Sequence, residues 1–356
     1  MKRIISVLIA AAMVFTALFS FASCVKVEVE ETTEEPTEET TSEAPVTLRD
    51  PLTGSADYDE KYENVKPVGI VVENHPQARP QWGFTSPDIV MEYEVEGGIS
   101  RMLWLYSNAD KVPEKVGPVR SARHDVVELA MGMDMLFVHC GGSDIALNLI
   151  AKNSSKLSEL EAMTHDKCFY RDNTRSVSKE HTLVLTGSSF RDYIAELNIN
   201  TQLDPAYKNP FVFVSGAARE LSGDTCAGVH FEYSNSYKYD FTMNPATGKY
   251  SPAINGAPQV DENGVTCAYT NVIILYVDMV DLHDSSGHQD LLLENGGSGL
   301  YVCGGRQEPI TWTKGAEADR LRLISADGTD LTLNPGNSYI GFVRSTQQER
   351  TSVKGN

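Results

Sequence analysis

Asp88-Ile89-Val90-Met91-Glu92-Tyr93-Glu94-Val95-Glu96-Gly97-Gly98-Ile99-Ser100-Arg101-Met102-Leu103-Trp104-Leu105-Tyr106-Ser107 is the stretch that sets the architecture. From Asp88 to Glu96 apolar and acidic residues alternate. Ile89, Met91, Tyr93 and Val95 share one face and Glu92, Glu94 and Glu96 the other, the period of a β-strand. Gly97-Gly98 reverses the chain, and residues 100–107 return as a second strand, so the stretch reads as a hairpin.

Working outward, Pro67-Val68-Gly69-Ile70-Val71-Val72 reads as a short buried strand. Residues 121–131 carry helical spacing at Val126, Val127, Ala130 and Met131, with Ser121 in the position of an N-cap and Asp125 near the first turn. Residues 135–139 read as a strand and 143–151 as a helix after Gly141-Gly142. Residues 183–185 and 190–197 add a strand and a helix. Residues 198–210 are rich in Asn, Asp and Pro and read as a linker. Beyond them short strands alternate with turns: 230–233, 237–241, 271–277, 300–303, 310–313 and 338–343, punctuated by Asn244-Pro245, Gly304-Gly305 and Asn334-Pro335-Gly336. The expected fold is α+β. A mixed α/β domain at 50–200 is followed by a smaller, mainly antiparallel β domain at 208–346 and a tail at 347–356.

The N-terminus is of another kind. Lys2 and Arg3 precede an apolar stretch from Ile4 to Ala22, followed by Ser23 and Cys24. A basic start, an apolar core and small residues before a cut make residues 1–23 a secretory signal. Cysteine after Ala-Ser resembles a lipobox, so Cys24 is the expected lipidation site, although Phe21 replaces the usual Leu. The alternative is an uncleaved membrane span. Residues 28–43 hold eight Glu and no Lys or Arg, too polar to repay ordering entropy. With Cys24 they form an acidic tether, 24–49, reaching roughly 80 Å when stretched. The expected location is extracytoplasmic, on the cell membrane.

Residues 50–356 carry 41 Asp and Glu against 26 Lys and Arg. So acidic a body argues against nucleic acid, whose binding rests on phosphate neutralisation. Besides Cys24 there are five cysteines, at 140, 168, 226, 267 and 303, without zinc-type spacing. An exported chain can hold one or two disulfides among them, and the spacing assigns none. No metal and no cofactor is expected.

Arginines and histidines concentrate in the first half. Arg79, Arg101, Arg120, Arg123, Arg171 and Arg175 accompany His75, His124, His139, His165 and His181. Several sit in turns, where a side chain is held without serving the packing. Guanidinium groups grip phosphate or carboxylate bidentately, and a helix start at 121–123 adds free N–H donors. These six arginines are the candidate ligand-binding set, for an anionic component of the cell envelope. The competing reading has them pair with Glu92, Glu94, Glu96 and Asp172 to brace the fold.

For catalysis the candidates are Glu92 and Glu96, paired carboxylates on one strand face but about 13 Å apart, and His139 as a general base. His139 reads equally as a satisfied core histidine. Ser143 suits a helix cap better than a nucleophile. Glycine-rich 296–305 lacks the Lys of a P-loop. Asp278, Asp281, His283, Asp284, His288 and Asp290 lack an EF-hand pattern and read as a solvated loop.

Several of these segments resemble the YerB-like lipoprotein family of domains of unknown function. The resemblance rests on Pro51-Leu52-Thr53-Gly54, Asn74-His75-Pro76-Gln77-Ala78-Arg79-Pro80-Gln81, Val95-Glu96-Gly97-Gly98-Ile99-Ser100-Arg101, Gly117-Pro118-Val119-Arg120-Ser121-Ala122-Arg123, Val138-His139 before Gly141-Gly142-Ser143, Arg171-Asp172 with Arg175, Thr311-Trp312-Thr313-Lys314 and Leu333-Asn334-Pro335-Gly336. It implies an envelope lipoprotein and supplies no reaction. At Ser178-Lys179-Glu180-His181-Thr182 the histidine is kept, but Glu180 stands where the family tends to have proline. Three function classes follow: a lipoprotein binding an anionic envelope ligand, a hydrolase or transferase acting on the same material, and a scaffold recruiting a protein partner.

Overall fold

The hairpin forms as the alternation requires. Strands Ile89–Glu94 and Ser100–Tyr106 pair antiparallel. The turn between them holds Gly97 and Gly98 at φ of +72° and +70°, a region that disfavours side chains with a Cβ. Every residue of both strands is buried. The acidic face of the first strand therefore does not meet water, because the strand is central and both its faces are covered.

The computed structural model describes residues 48–355, and these belong to one compact unit. The signal segment, Cys24 and the tether up to residue 47 lie outside the described residues. Among the described residues no helix is long and apolar enough to cross a membrane.

The fold is α+β, with a large mixed sheet and a separate antiparallel sheet in the C-terminal part. The mixed sheet has ten strands. Val68–Glu73 lies beside Ser100–Tyr106 on one side and Leu136–His139 on the other, and Ser158–Glu161 forms the edge. Across the hairpin, Ile89–Glu94 pairs in parallel with Ser338–Arg344, which pairs in parallel with Asn271–Val277. Gly297–Cys303, Arg306–Thr313 and Arg322–Ile324 continue to the far edge. The sheet therefore joins strands from both sides of residues 198–210. That segment divides the sequence while the hydrogen-bonded ladder runs across it. The segment itself is pinned, with Leu203 N–H donating to the Asn64 carbonyl at 2.8 Å.

The second sheet has five strands, among them Gly228–Ser234, Tyr237–Met243 and Tyr250–Ile254. Alternation divides the side chains into two cores. On one face of the large sheet, Ile89, Met91, Leu103, Ile273 and Phe342 pack with helices His124–Gly132 and Asp144–Lys152. On the other, Val90, Trp104, Val272 and Tyr339 meet the five-stranded sheet and helix Gly187–Glu196. Fully burying an aliphatic or aromatic side chain of this size contributes about 1.5–3 kcal/mol.

Local details differ from expectation in two places. Ser121 is not a helix cap: the helix starts at His124 with Arg123 as its uncapped N-cap residue, because Ser121 and Ala122 are drawn into the sheet. Cys140, Cys168, Cys226, Cys267 and Cys303 are all free thiols, four of them buried among apolar residues. Ser143 caps its helix, its hydroxyl accepting from Ala146 N–H at 3.3 Å.

Candidate functional site

Strands Val68–Glu73, Ile89–Glu94, Leu136–His139, Asn271–Val277 and Ser338–Arg344 run in the same direction, so their carboxyl ends share one edge. Ligands of mixed and parallel sheets bind at that edge. Here the edge is opened by an insertion. Val68–Glu73 and Leu136–His139 pair only at their starts, through Ile70 and Val138. Beyond that point they splay, and residues 119–122 thread between them. Arg120 N–H donates to the Val71 carbonyl at 2.9 Å, and Cys140 N–H to the Arg120 carbonyl at 3.0 Å. Ala122 N–H donates to the Gly141 carbonyl at 2.9 Å. Gly117 makes this path possible. It sits at φ +154°, and a Cβ there would lie 2.5 Å from the Leu183 carbonyl oxygen.

This insertion delivers Arg120 and Arg123 beside Arg101, the second residue of its strand, opposite Glu73 and Tyr93 in the register. The three arginines are differently committed. Arg123 makes a bidentate pair with Glu96, at 2.5 and 2.9 Å. Arg120 bridges Glu73, at 3.1 Å from Nε, and Glu180, at 2.6 Å from Nη2. Arg101 is only 4 % exposed, donates to the Ser121 carbonyl at 2.9 Å and has no carboxylate within 4.0 Å among the described residues. Its Nε and the nearby Tyr93 hydroxyl are buried without partners. Burial, then the charge of Arg123, brings the Arg101 guanidinium down to about 10. Leaving such donors unmet costs about 1–3 kcal/mol each.

The remaining arginines are spread around the first half and none pairs with an acid. Arg79 stacks over the Tyr237 ring at 5.3 Å, and its Nε is buried without a partner. Arg171 donates to the Lys179 carbonyl at 2.8 Å. Arg175 lies 3.7 Å over the Trp82 ring and donates to the Ala78 carbonyl at 3.3 Å. Of the pairs in the bracing reading only Arg123 with Glu96 forms; Arg120 is braced by two other acids, Glu73 and Glu180, and the other four arginines pair with none among the described residues. Asp172, one of its proposed acids, instead holds Thr174, and its nearest cation is Lys115 at 3.9 Å.

Glu73, which sequence reasoning passed over, completes the edge with His75 and His181. Glu73 is buried, and its Oε2 accepts from His181 Nδ1 at 2.8 Å across 108 positions of sequence. The other His181 nitrogen is 4.0 Å from Glu180, its nearest carboxylate and beyond hydrogen-bonding distance. His75 stacks on His181, ring centroids 4.7 Å apart and planes within 1°. The His75 Nδ1 accepts from Gln77 N–H at 3.2 Å, so its proton is on Nε2. The Asn74–Gln81 motif held His75 in view and the Ser178–Thr182 segment held His181; their partner Glu73 carried no signal beyond being the last residue of a strand.

The candidate acids part company. Glu96 lies in the turn after the strand and not on the Glu92 face of it. Glu92 is fully buried between the two sheets. It accepts from the hydroxyls of Tyr239 and Tyr339 at 2.8 Å, from Asn74 Nδ2 at 2.9 Å and from Ser100, with no Lys or Arg among its partners. Burial raises its carboxyl above the usual range. It is a structural node and cannot work with Glu96 as an acid–base pair. His139 is likewise closed off. Its nitrogens face the Gly141 carbonyl at 2.8 Å and Glu159 at 2.9 Å, so both donate. Burial alone would lower its affinity for a proton, but Glu159 and Glu161 raise it. It is a buried imidazolium brace without a lone pair to accept a proton, and not a general base.

The acidic segment at 278–290 has a solvated tip, residues 283–286, between two short strands. Met279–Asp281 pairs with Gln289–Leu291 as a small hairpin packed on the start of helix His124–Gly132. Asp290 meets His124 at 3.0 Å, and Leu291 N–H donates to Asp125 at 2.8 Å. His288 approaches Glu96 to 3.6 Å. Two groups, His124 with Asp125 and Asp290, and His139 with Glu159 and Glu161, bring metal-type donors within 4.8 Å of one another. In both, hydrogen bonds from the histidine account for the spacing.

Residues 52–200 match the family model described as "Protein of unknown function (DUF3048) N-terminal domain", and residues 229–340 match that described as "Protein of unknown function (DUF3048) C-terminal domain". The chain is 30 % identical over 305 residues to "Putative lipoprotein YerB" of Bacillus subtilis, covering 83 % of this chain and 86 % of that one. It is also similar to the crystal structure of the YerB protein from Bacillus subtilis, with a TM-score of 0.73 and 28 % identity. That match covers 86 % of this chain and 99 % of the other.

Proposed function

The chain belongs to the YerB-like DUF3048 family, and from that membership and the chemistry of the carboxyl edge we propose that it is an extracytoplasmic lipoprotein, anchored by lipid on Cys24, that binds an anionic envelope ligand through Arg101, Arg120 and Arg123. The relative's description as a lipoprotein supports the anchor, as do the apolar stretch and Cys24 at the N-terminus. The acidic tether would hold the body away from an anionic membrane surface.

The observation that carries the ligand class is Arg101: a buried guanidinium with no acid partner and an unmet Nε donor, beside an unmet Tyr93 hydroxyl. Both are donors, so the missing partner is an acceptor. A phosphate or phosphoanhydride oxygen suits them, and the uncapped N–H groups at His124–Gly132 add to the field. Glu180 is half exposed on Arg120 and is the carboxylate that a ligand phosphate would replace.

Calorimetric titration with inorganic pyrophosphate, and co-sedimentation with vesicles of phosphatidylglycerol or phosphatidylcholine, test the reading and separate a free anion from a lipid headgroup. Wild type is expected to bind pyrophosphate or the anionic vesicles. Arg101→Lys, which keeps the charge and loses the fork, is expected to bind at least tenfold more weakly. Equal binding by the two proteins, or none by wild type, overturns the site.

A further inference from the structure

The partners of the ring nitrogens sort the eight imidazoles by what they can still do. His139 faces acceptors on both sides. His124 turns its Nε2 to both Asp125, at 3.3 Å, and Asp290, at 3.0 Å. His288 lies between Asp284 and Glu96, and His230 between Asp240 and Glu232. His165 and His283 meet Thr164 and Asp281. His181 differs. A buried carboxylate, Glu73, takes its Nδ1–H, which leaves the Nε2 lone pair without a hydrogen bond. Arg120 holds the second oxygen of that carboxylate at 3.1 Å and so fixes its orientation.

The ring stacked on His181 has the complementary tautomer. The Gln77 N–H donates to His75 Nδ1, so His75 Nε2 presents a proton and is a neutral hydrogen-bond donor. Burial, then the neighbouring His181, disfavours the charged form of His75. An oriented base, a neutral donor and a guanidinium, here Arg120 with its half-exposed partner Glu180, are the parts that water attack on a phosphoryl centre requires.

We propose that His181, oriented by Glu73, is the general base of a phosphate-ester hydrolase site at the carboxyl edge, with His75 and Arg120 stabilising the charge that develops on the phosphoryl oxygens. The inference rests on the anion-binding reading above and adds a reaction to it. His181 Nε2 takes a proton from water as the water oxygen bonds to phosphorus. The bond from phosphorus to the ester oxygen, on the side away from the attacking water, breaks; the leaving oxygen takes a proton from solvent and the imidazolium gives up to solvent the one it took. The products are an alcohol and a phosphate, and both histidines end as they began. Glu73 keeps Nδ1–H in place throughout and is a positioning residue.

The test uses the full chain with p-nitrophenyl phosphate and bis-p-nitrophenyl phosphate, read as p-nitrophenolate release. Wild type is expected to hydrolyse one of them, with a rate that falls at acid pH. Glu73, Glu180, Arg120 and His75 are the charged and titratable groups that face His181 and shape that limb. His181→Gln is expected to lower kcat at least 100-fold with KM changed less than threefold, and to abolish the acid limb. Glu73→Gln is expected to lower kcat 10- to 100-fold, and it serves as the test if His181→Gln loses its melting transition. Long-range proton–nitrogen correlation spectra of wild type are expected to show the His181 proton on Nδ1. Wild-type rates in His181→Gln, a proton on Nε2, or no release from either ester overturns the proposal. If neither ester is cleaved while pyrophosphate still binds in an Arg101-dependent way, the reaction falls and the binding site stands. If neither event is seen, both fall.

Discussion

The Tyr339 hydroxyl donates to Glu92 Oε2 at 2.8 Å, from a strand that pairs in parallel with the one bearing Glu92. Tyr239 reaches the same carboxyl group from the five-stranded sheet. One acidic side chain thereby ties the two sheets together, inside an aromatic cluster of Phe231, Tyr233, Tyr239, Phe241 and Tyr339.

This node makes stability depend on pH in a defined direction. Burial raises the folded-state carboxyl of Glu92 above its value in the unfolded chain. The folded protein therefore holds this proton more tightly, and the contribution of Glu92 is full below the ordinary carboxylate value of about 4.3. It is lost as pH rises from there through the raised value. Glu92→Gln, neutral at every pH, is expected to lack that decline and to match or exceed wild type at about pH 8. Glu92→Ala leaves hydroxyls unmet and is expected to cost about 2–4 kcal/mol throughout. Urea denaturation of the three proteins at acid and alkaline pH measures this. A pH profile unchanged in Glu92→Gln would show that Glu92 does not contribute it.

Gly117 carries the insertion that positions Arg120. With φ at +154° and the Leu183 carbonyl 2.5 Å from where a Cβ would stand, Gly117→Ala is strained both by its backbone and by contact. A loss of roughly 2–4 kcal/mol is expected, larger than ordinary glycine-to-alanine changes. The loss should be accompanied by weaker pyrophosphate binding, because residues 119–122 follow directly. Denaturant titration showing less than about 0.5 kcal/mol would mean that the loop adapts without cost.

The hairpin formed by Met279–Asp281 and Gln289–Leu291 is held to the edge by the Asp290 contact with His124 and by the approach of His288 to Glu96. Asp290→Ala removes the first of these. Amide exchange in residues 279–291 is expected to quicken about tenfold, equivalent to about 1.4 kcal/mol of local opening. Exchange in the Asn271–Val277 and Ser338–Arg344 strands should stay as in wild type. Equal acceleration in those strands would mean that the hairpin opens only with the whole fold.

The sequence by itself determined the local elements. Alternation at 88–96 and the Gly97-Gly98 turn specify a hairpin because strand period and turn conformation are set by neighbours a few residues apart. Tertiary structure decided what lies on each side of those elements. Glu92 alternates as an outward residue would, yet it is buried because a second sheet, supplied by residues 228–254, covers that face. Arg101 and Arg120 looked alike in the chain. One lacks an acid and the other has two, since ion pairing depends on which strand ends the splay at Ile70 and Val138 brings together. Glu73 and His181, 108 positions apart, meet only because that splay, the inserted segment and the 179–181 turn converge on one edge. Period is local physics and was legible; burial of a second face and the choice of charge partner are long-range and were not.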